Sequence, residues 1–304
     1  MRVPIKRILC PIDFSEFSRG ALELAITVAR WHDAEIKALH VLPVTLPTTP
    51  LGPLPVAMPF KAEPPDDQVE QELRTFVRPA VDAGLAVSVR VLVGQAVGVI
   101  LDEAREWAAD LIVLGTHGRS GFERLFLGSV AERVLRRATC PVLTAPRRQE
   151  QFPDAAVLFR RVLCPVDFSE ASLAALEFAF AVARASDGNV TLLHVLEIEE
   201  EPVVPSPFSI PEYRRLREQD AHRSLDALVP AEAETWCRPE TMVVGGGKAY
   251  REILRLAREK EVDLIVLGVH GRNPVDLTLF GSTTHHVVRE ATCPVLTVRP
   301  VGTR

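Results

Sequence analysis

The chain has 304 residues, 47% of them hydrophobic and 25% charged, with a net charge of −5 and a pI near 6.0. That exceeds one ordinary domain and is enough for two cores. The acidic balance lacks a nucleic-acid footprint, no apolar run approaches the ~20 residues that span a bilayer, and MRVPIKRILCPIDFS has no signal-peptide core, so a cytoplasmic protein is expected. From the N-terminus, Ile8 to Ile12 is an apolar run that reads as a buried strand. Ser15 or Ser18 can cap the helix that follows, whose apolar positions include Leu22, Ala25, Val28 and Ala29. Glu35 to Leu42 is a second strand, and Pro43 to Pro65 is proline-rich without periodicity. A helix is predicted from about Asp66 to Ala83, closed by Gly84, and then a strand from Leu85 to Val93. Ile100, Ala104, Trp107 and Ala108 mark a third helix, Leu111 to Leu114 a fourth strand, Ser129 to Arg137 a fourth helix, and Cys140 to Ala145 a fifth strand.

The second half repeats the first. RILCPIDFSE (Arg7 to Glu16) returns as RVLCPVDFSE (Arg161 to Glu170), His40-Val41 as His194-Val195, LIVLGTHGR as LIVLGVHGR, and ATCPVLT (from Ala138) as ATCPVLT (from Ala291). The register holds to within one residue across the whole half, which marks a tandem domain duplication. The reading is a first domain over 1–146, a polar linker over 147–158 and a second domain over 159–304. Strands apolar on both faces that alternate with helices form a doubly wound α/β sheet with parallel strands. Ligands of such sheets bind beyond the carboxyl ends of the strands. Asp13, Val41 and the loop that starts at Gly115 all lie there.

That loop, GTHGRSGFERLFLGS (Gly115 to Ser129), has the counterpart GVHGRNPVDLTLFGS (Gly268 to Ser282). Both carry Gly-x-x-Gly-x9-Gly-Ser. Glycine lets the backbone approach a ligand closely, and a helix start offers unpaired N–H groups and partial positive charge, a seat for phosphate. Ser129 and Ser282 can cap their helices or donate to a phosphate oxygen, and Arg119 and Arg272 add a guanidinium to each loop. The pattern is neither a Walker A loop nor the Rossmann fingerprint, and GGGK at Gly245 to Lys248 lacks the Walker spacing.

CPIDFS, HV after the second strand, GTHGR-x7-LGS and ATCPVLT resemble the universal stress protein family, and CPVDFS, HV, GVHGR-x7-FGS and ATCPVLT repeat the match. The resemblance covers nearly the whole chain. It implies a five-stranded sheet of order 3-2-1-4-5 in each half, similar to the adenine-nucleotide alpha-hydrolase fold. It also implies ATP as ligand, with Mg or Mn as the bridging ion. By position, Pro11 and Pro165 belong to the site. Asp13 and Asp167 would face the ribose, or a bridging ion, and the backbone of Val41 and Val195 the adenine edge. Gly115, Gly118, Gly128, Ser129 and Val130 would hold ribose and phosphates, as would Gly268, Gly271, Gly281, Ser282 and Thr283. Asp13 has a second reading, a turn residue that starts the first helix; the two roles are compatible.

His117 and His270 sit inside the glycine loops, either as phosphate contacts or as plain loop residues. His285-His286 lacks spaced Cys or carboxylate partners, so no metal site is assigned. The five cysteines form no CxxC pair and read as buried reduced thiols. Without a nucleophile elbow or a Ser-His-Asp order, no catalytic residue is assigned. The resemblance implies a stress-response module in which nucleotide occupancy is a switch read by a protein effector. The alternatives are a slow ATP hydrolase or nucleotidyl-transfer enzyme on the same fold, and a nucleotide-independent interaction module. The loops differ, SGFERLFL against NPVDLTLF, with Pro274 restricting the second, so the two sites are expected to differ in affinity. Pro43 to Pro65 reads either as a lid or docking segment or as a disordered connection. The fifth strands of the halves can pair within one chain as an internal pseudo-dimer, leaving a homodimer open.

Overall fold

The computed structural model describes residues 5–44, 48–49, 52–53, 67–116, 127–146, 159–197, 210–269 and 281–300. The first half runs β1 (Arg7–Pro11), α1 (Glu16–His32), β2 (Glu35–Leu42), the two-residue strands β3 (Thr48–Thr49) and β4 (Gly52–Pro53), α2 (Asp67–Phe76), α3 (Arg78–Asp82), β5 (Val87–Val93), α4 (Ala96–Glu106), β6 (Leu111–Gly115), α5 (Ser129–Arg137) and β7 (Val142–Ala145). The second runs β8 (Arg161–Pro165), α6 (Glu170–Ser186), β9 (Asn189–Leu196), α7 (Ile210–Asp226), β10 (Glu240–Gly245), α8 (Ala249–Glu259), β11 (Leu264–Gly268), α9 (Ser282–Glu290) and β12 (Val295–Val298). Apart from the small β3–β4 pair, the strands form one sheet of order β10-β9-β8-β11-β12-β7-β6-β1-β2-β5. In this sheet every pairing within a half is parallel and the order is third, second, first, fourth, fifth of its strands, as the resemblance implied.

The halves meet through their fifth strands. β7 and β12 pair antiparallel, with Thr144 opposite Val295, Leu143 opposite Leu296 and Val142 opposite Thr297. Thr144 Oγ1 donates to Val295 O at 3.2 Å, and Thr297 Oγ1 returns the bond to Val142 O at 3.1 Å. Two strands that would each be an exposed edge thereby close one another. Arg299, beyond β12, donates through Nη2 to Leu135 O at 3.3 Å and to Arg136 O, which satisfies the last carbonyls of α5 in the other half.

Two apolar layers flank the sheet. One packs α1 and α6 against Ile8, Cys10, Val113, Cys164 and Val266; the other packs α4, α5, α8 and α9 against Leu9, Ile112, Leu163 and Ile265. Adjacent strand residues feed opposite layers, as a sheet covered on both sides requires. The helix expected over 66–83 is two helices. Pro79 has no N–H to continue the ladder, so the chain breaks at Val77 (φ −85°, ψ 2°) before α3. The fifth strand starts at Val142, after Pro141, two residues later than the expected Cys140.

Among the described residues, one buried charge cluster has no counterpart in the second half. Glu103, 3% exposed, accepts from Lys37 Nζ at 2.8 Å and from Arg90 Nη1 at 2.8 Å, and Lys37 lies 4.3 Å from the ring centre of Trp107. At the structurally equivalent positions the second half has Thr191, Met242 and Leu256.

Candidate nucleotide site at the strand ends

Each first strand ends in Pro-x-Asp-Phe-Ser, and this segment shapes the floor of the site. Ser15 is the N-cap of α1, accepting from Ser18 N–H at 3.2 Å. Asp13 Oδ1 accepts from Ser15 N–H at 3.0 Å, from Ser15 Oγ at 2.5 Å and from the Ser18 hydroxyl, while Asp13 N–H donates to Ser18 Oγ at 3.0 Å. In the second half Ser169 caps α6, and Asp167 Oδ1 accepts from Ser169 N–H at 3.0 Å and Ser169 Oγ at 2.6 Å. The turn role weighed for Asp13 is therefore real, and it fixes the carboxylate at the strand end.

Between them, Phe14 and Phe168 take φ of +63° and +64°. Bulky side chains seldom occupy this region, so the same departure in both halves marks a constrained turn. Each ring lies against the second-strand histidine, Phe14 at 4.6 Å from His40 and Phe168 at 4.8 Å from His194. Those histidines are buried, and their Nδ1 atoms lie 2.7 Å from Ile12 O and Val166 O. A carbonyl oxygen only accepts, so Nδ1 carries the hydrogen. The result ties the end of the first strand to that of the second. The turn phenylalanines were not singled out in the sequence; their signal is the identical Asp-Phe-Ser in both copies. Of the two serines offered as caps, Ser15 takes that role, and Ser18 instead bonds Asp13.

In the second half these pieces converge on a cavity of about 240 Å³. Pro165, Asp167, Val195, Gly268, Gly281, Ser282 and Thr283, drawn from four separate segments, all line it, joined by His194 and, from α8, by Ala249 and Ile253. The first half sets Pro11, Asp13, Val41, Gly115, Gly128, Ser129 and Val130 at the matching ends of β1, β2, β6 and α5. His117, Gly118, Arg119, His270, Gly271 and Arg272 lie outside the described residues. The first loop's ends meet: Gly128 N–H donates to Thr116 O at 2.8 Å.

Two expectations change. Ser129 and Ser282 are not caps; they are the first helical residues, and the cap positions belong to Gly128 (φ −56°, ψ 136°) and Gly281 (φ −49°, ψ 136°) with no side-chain cap bond. The glycine carbonyls already accept the first helical bonds, from Glu132 and His285 N–H at 2.9 Å each. The N–H groups of both first turns thus remain uncapped by side chains. Gly115 and Gly268 are also constrained from within the fold. A Cβ at Gly115 would lie 2.8 Å from Phe17 O, and one at Gly268 would lie 2.4 Å from Ala171 C. Their missing side chains let the first turn of α1 or α6 press on the strand end. At Gly281 the nearest atom to such a Cβ is Thr284 Oγ1 at 3.8 Å, which leaves room.

The family of universal stress proteins, as a model, matches residues 4–146 and again 158–299. The chain belongs to the universal stress protein family. A universal stress protein of Methanocaldococcus jannaschii is 34% identical over 148 residues, covering 48% of this chain and 85% of its own length. One from Mycolicibacterium smegmatis is 26% identical over 303 residues, covering 96% and 97% of the two chains, so the tandem arrangement is shared. The crystal structure of a universal stress protein from Archaeoglobus fulgidus superposes with a TM-score of 0.62 at 24% identity over 97% of this chain and 98% of that one, which establishes the fold.

Other candidates from the sequence have structural explanations. His286 stacks on Tyr250 at 4.2 Å, and its Nδ1 lies 3.3 Å from Glu290 Oε1. Burial holds the neighbouring His285 below the usual imidazole range. Among the described residues no cluster of three His, Cys, Asp or Glu side chains is placed to hold a metal, and no helix is long and apolar enough to cross a membrane. Trp236, without a counterpart in the first half, packs edge-on against Phe180 at 6.3 Å beneath Arg184.

Proposed function

We propose that both halves of this universal stress protein bind ATP and that nucleotide occupancy is the signal the molecule passes to a protein partner. The observation that carries this reading is the second-half cavity, which gathers Asp167, Val195, Gly268, Gly281, Ser282 and Thr283. The donor set fits a nucleotide. The uncapped start of α9, with the Ser282 and Thr283 hydroxyls, suits phosphate oxygens. Asp167, held by Ser169, suits ribose hydroxyls, and the backbone edge at Val195 suits a base. Asp13, Val41, Gly128 and Ser129 take the same parts in the first half. A divalent ion, Mg or Mn, would arrive on the phosphates and neutralise their charge, with Asp13 or Asp167 as the nearest site carboxylate.

Titration calorimetry of the full chain with ATP tests the reading. Two bound equivalents are expected. Gly281→Glu places a carboxylate where phosphate would sit, in a position with steric room, and removes one equivalent. Gly118→Glu removes the other. Two undiminished sites in either variant would show the placement to be wrong, and absence of binding in the wild type would leave a nucleotide-independent interaction module. Turnover of ATP to ADP by the pure protein would instead favour a hydrolase.

A further inference from the structure

The two halves differ where the third long strand hands over to its helix. In the first half the turn is Gly94-Gln95, and α4 begins at Ala96. In the second it is Gly246-Gly247-Lys248, one residue longer, and α8 begins at Ala249. Both turns keep one backbone anchor: Gly94 N–H donates to Leu42 O at 2.9 Å and Gly246 N–H to Leu196 O at 3.2 Å. The longer turn has φ +96° at Gly246 and follows Gly245, so three glycines precede the helix. Glycine carries the largest backbone entropy, and such a turn defines the helix start poorly. Neither Gln95 nor Lys248 makes a side-chain cap bond to its helix.

The second half has a compensating contact. Ala249 N–H donates to Glu197 Oε1 at 3.0 Å. Glu197 follows β9 directly, two residues after Val195; Pro43, which has no side-chain acceptor, holds the equivalent place in the first half. Val195 and Ala249 both line the cavity, as does Ile253 one turn further along α8. The Glu197–Ala249 bond therefore joins two walls of the cavity on its base side. A carboxylate on a helix-terminal N–H is a charge-assisted bond favoured by the helix dipole.

We infer that Glu197 is a positioning residue for the second-half site: its carboxylate pins the start of α8 across a glycine-rich turn and holds the base-side wall of the cavity in its binding geometry. The GGGK stretch is then the hinge that makes the clasp necessary, and Pro43 supplies no such acceptor in the first half. The ligand class rests on the nucleotide reading above; the clasp itself does not.

The test uses the full chain carrying Gly128→Glu to silence the first site, titrated with ATP by calorimetry. Glu197→Ala is expected to weaken binding about tenfold, the worth of one hydrogen bond to a charged group. Glu197→Gln, whose amide oxygen still accepts from Ala249 N–H, is expected to stay within about threefold of the parent. Hydrogen exchange without nucleotide provides an independent readout: amides 246–250 lose protection in Glu197→Ala and keep it in Glu197→Gln. Unchanged exchange in Glu197→Ala would overturn the clasp. Faster exchange with unchanged ATP affinity would overturn its role in the site. If the parent bound no ATP, the nucleotide reading would fail while exchange still decided the clasp.

Discussion

Replacing Glu103 with leucine removes the carboxylate on which Lys37 and Arg90 both converge at 2.8 Å. The Lys37 side chain is 14% exposed, so its ammonium would be left buried beside only the face of Trp107. Arg90, 48% exposed, can turn to water. Breaking a buried ion pair from one side costs about 3–5 kcal/mol. The freedom of Arg90 and the remaining cation–π contact, worth about 0.5–2 kcal/mol, place the expected loss near the lower end, about 3 kcal/mol. The second half indicates how the loss is relieved, because it fills the same three positions with Thr191, Met242 and Leu256. The triple variant Lys37→Thr, Arg90→Met, Glu103→Leu is expected to match or exceed wild-type stability. Urea unfolding of the full chain, followed by far-UV circular dichroism, measures both. A single variant within about 0.5 kcal/mol of wild type, the range of an ordinary surface change, would refute the reasoning, as would a triple variant no more stable than the single.

Gly268→Ala puts a methyl 2.4 Å from Ala171 C and must displace the first turn of α6, at about 1–3 kcal/mol, whereas Gly281→Ala has room for its methyl and should cost only the N-cap preference of glycine over alanine, less than about 1 kcal/mol. Scanning calorimetry distinguishes the two. Thr283→Val gives the second site the side chain that Val130 provides in the first; ATP affinity at that site should fall about tenfold and adenosine affinity should hold, by calorimetry. Burial pushes the thiols of Cys10 and Cys293 from 9.0 up to about 12 and that of Cys140 to about 11, and it raises Cys164 too. These thiols stay protonated in the folded chain while unfolded ones ionise. Their contribution to stability is complete below pH 9 and declines as pH rises toward the folded values, by up to about 1.4 kcal/mol per pH unit per thiol. Urea midpoints between pH 8 and 10.5 should fall accordingly and flatten when Cys10 and Cys164 are both replaced by alanine.

The alternation of apolar runs with helix-period segments was enough to read the sheet, and the repeat in nearly constant register showed that there are two. Strand order needed the resemblance, since periodicity does not say which strands are neighbours. What escaped the sequence has local causes. Pro79 split a helix whose hydrophobic period continues across the break. The positive φ of Phe14 and Phe168 belongs to a residue type that gives no hint of it. A serine before a helix reads as a cap, yet one residue of register moves the cap to Gly128 and Gly281. Gly268 reads as a ligand-facing glycine, but the contact that excludes a side chain comes from α6, distant in sequence. The Glu197 clasp spans β9 and α8, and only the fold brings those two segments together.

Whether each half seats one adenine nucleotide is read most directly by assaying the purified full chain for tightly held ligand. The protein, saturated with ATP and freed of excess by rapid gel filtration, is denatured, and the released nucleotide is identified and counted by chromatography. ATP is expected at about two per chain, falling to about one with Gly281→Glu, because an anion seat at a helix start is lost once a carboxylate occupies it. Recovery of no nucleotide, or of two equivalents from Gly281→Glu, would contradict one nucleotide seat in each half.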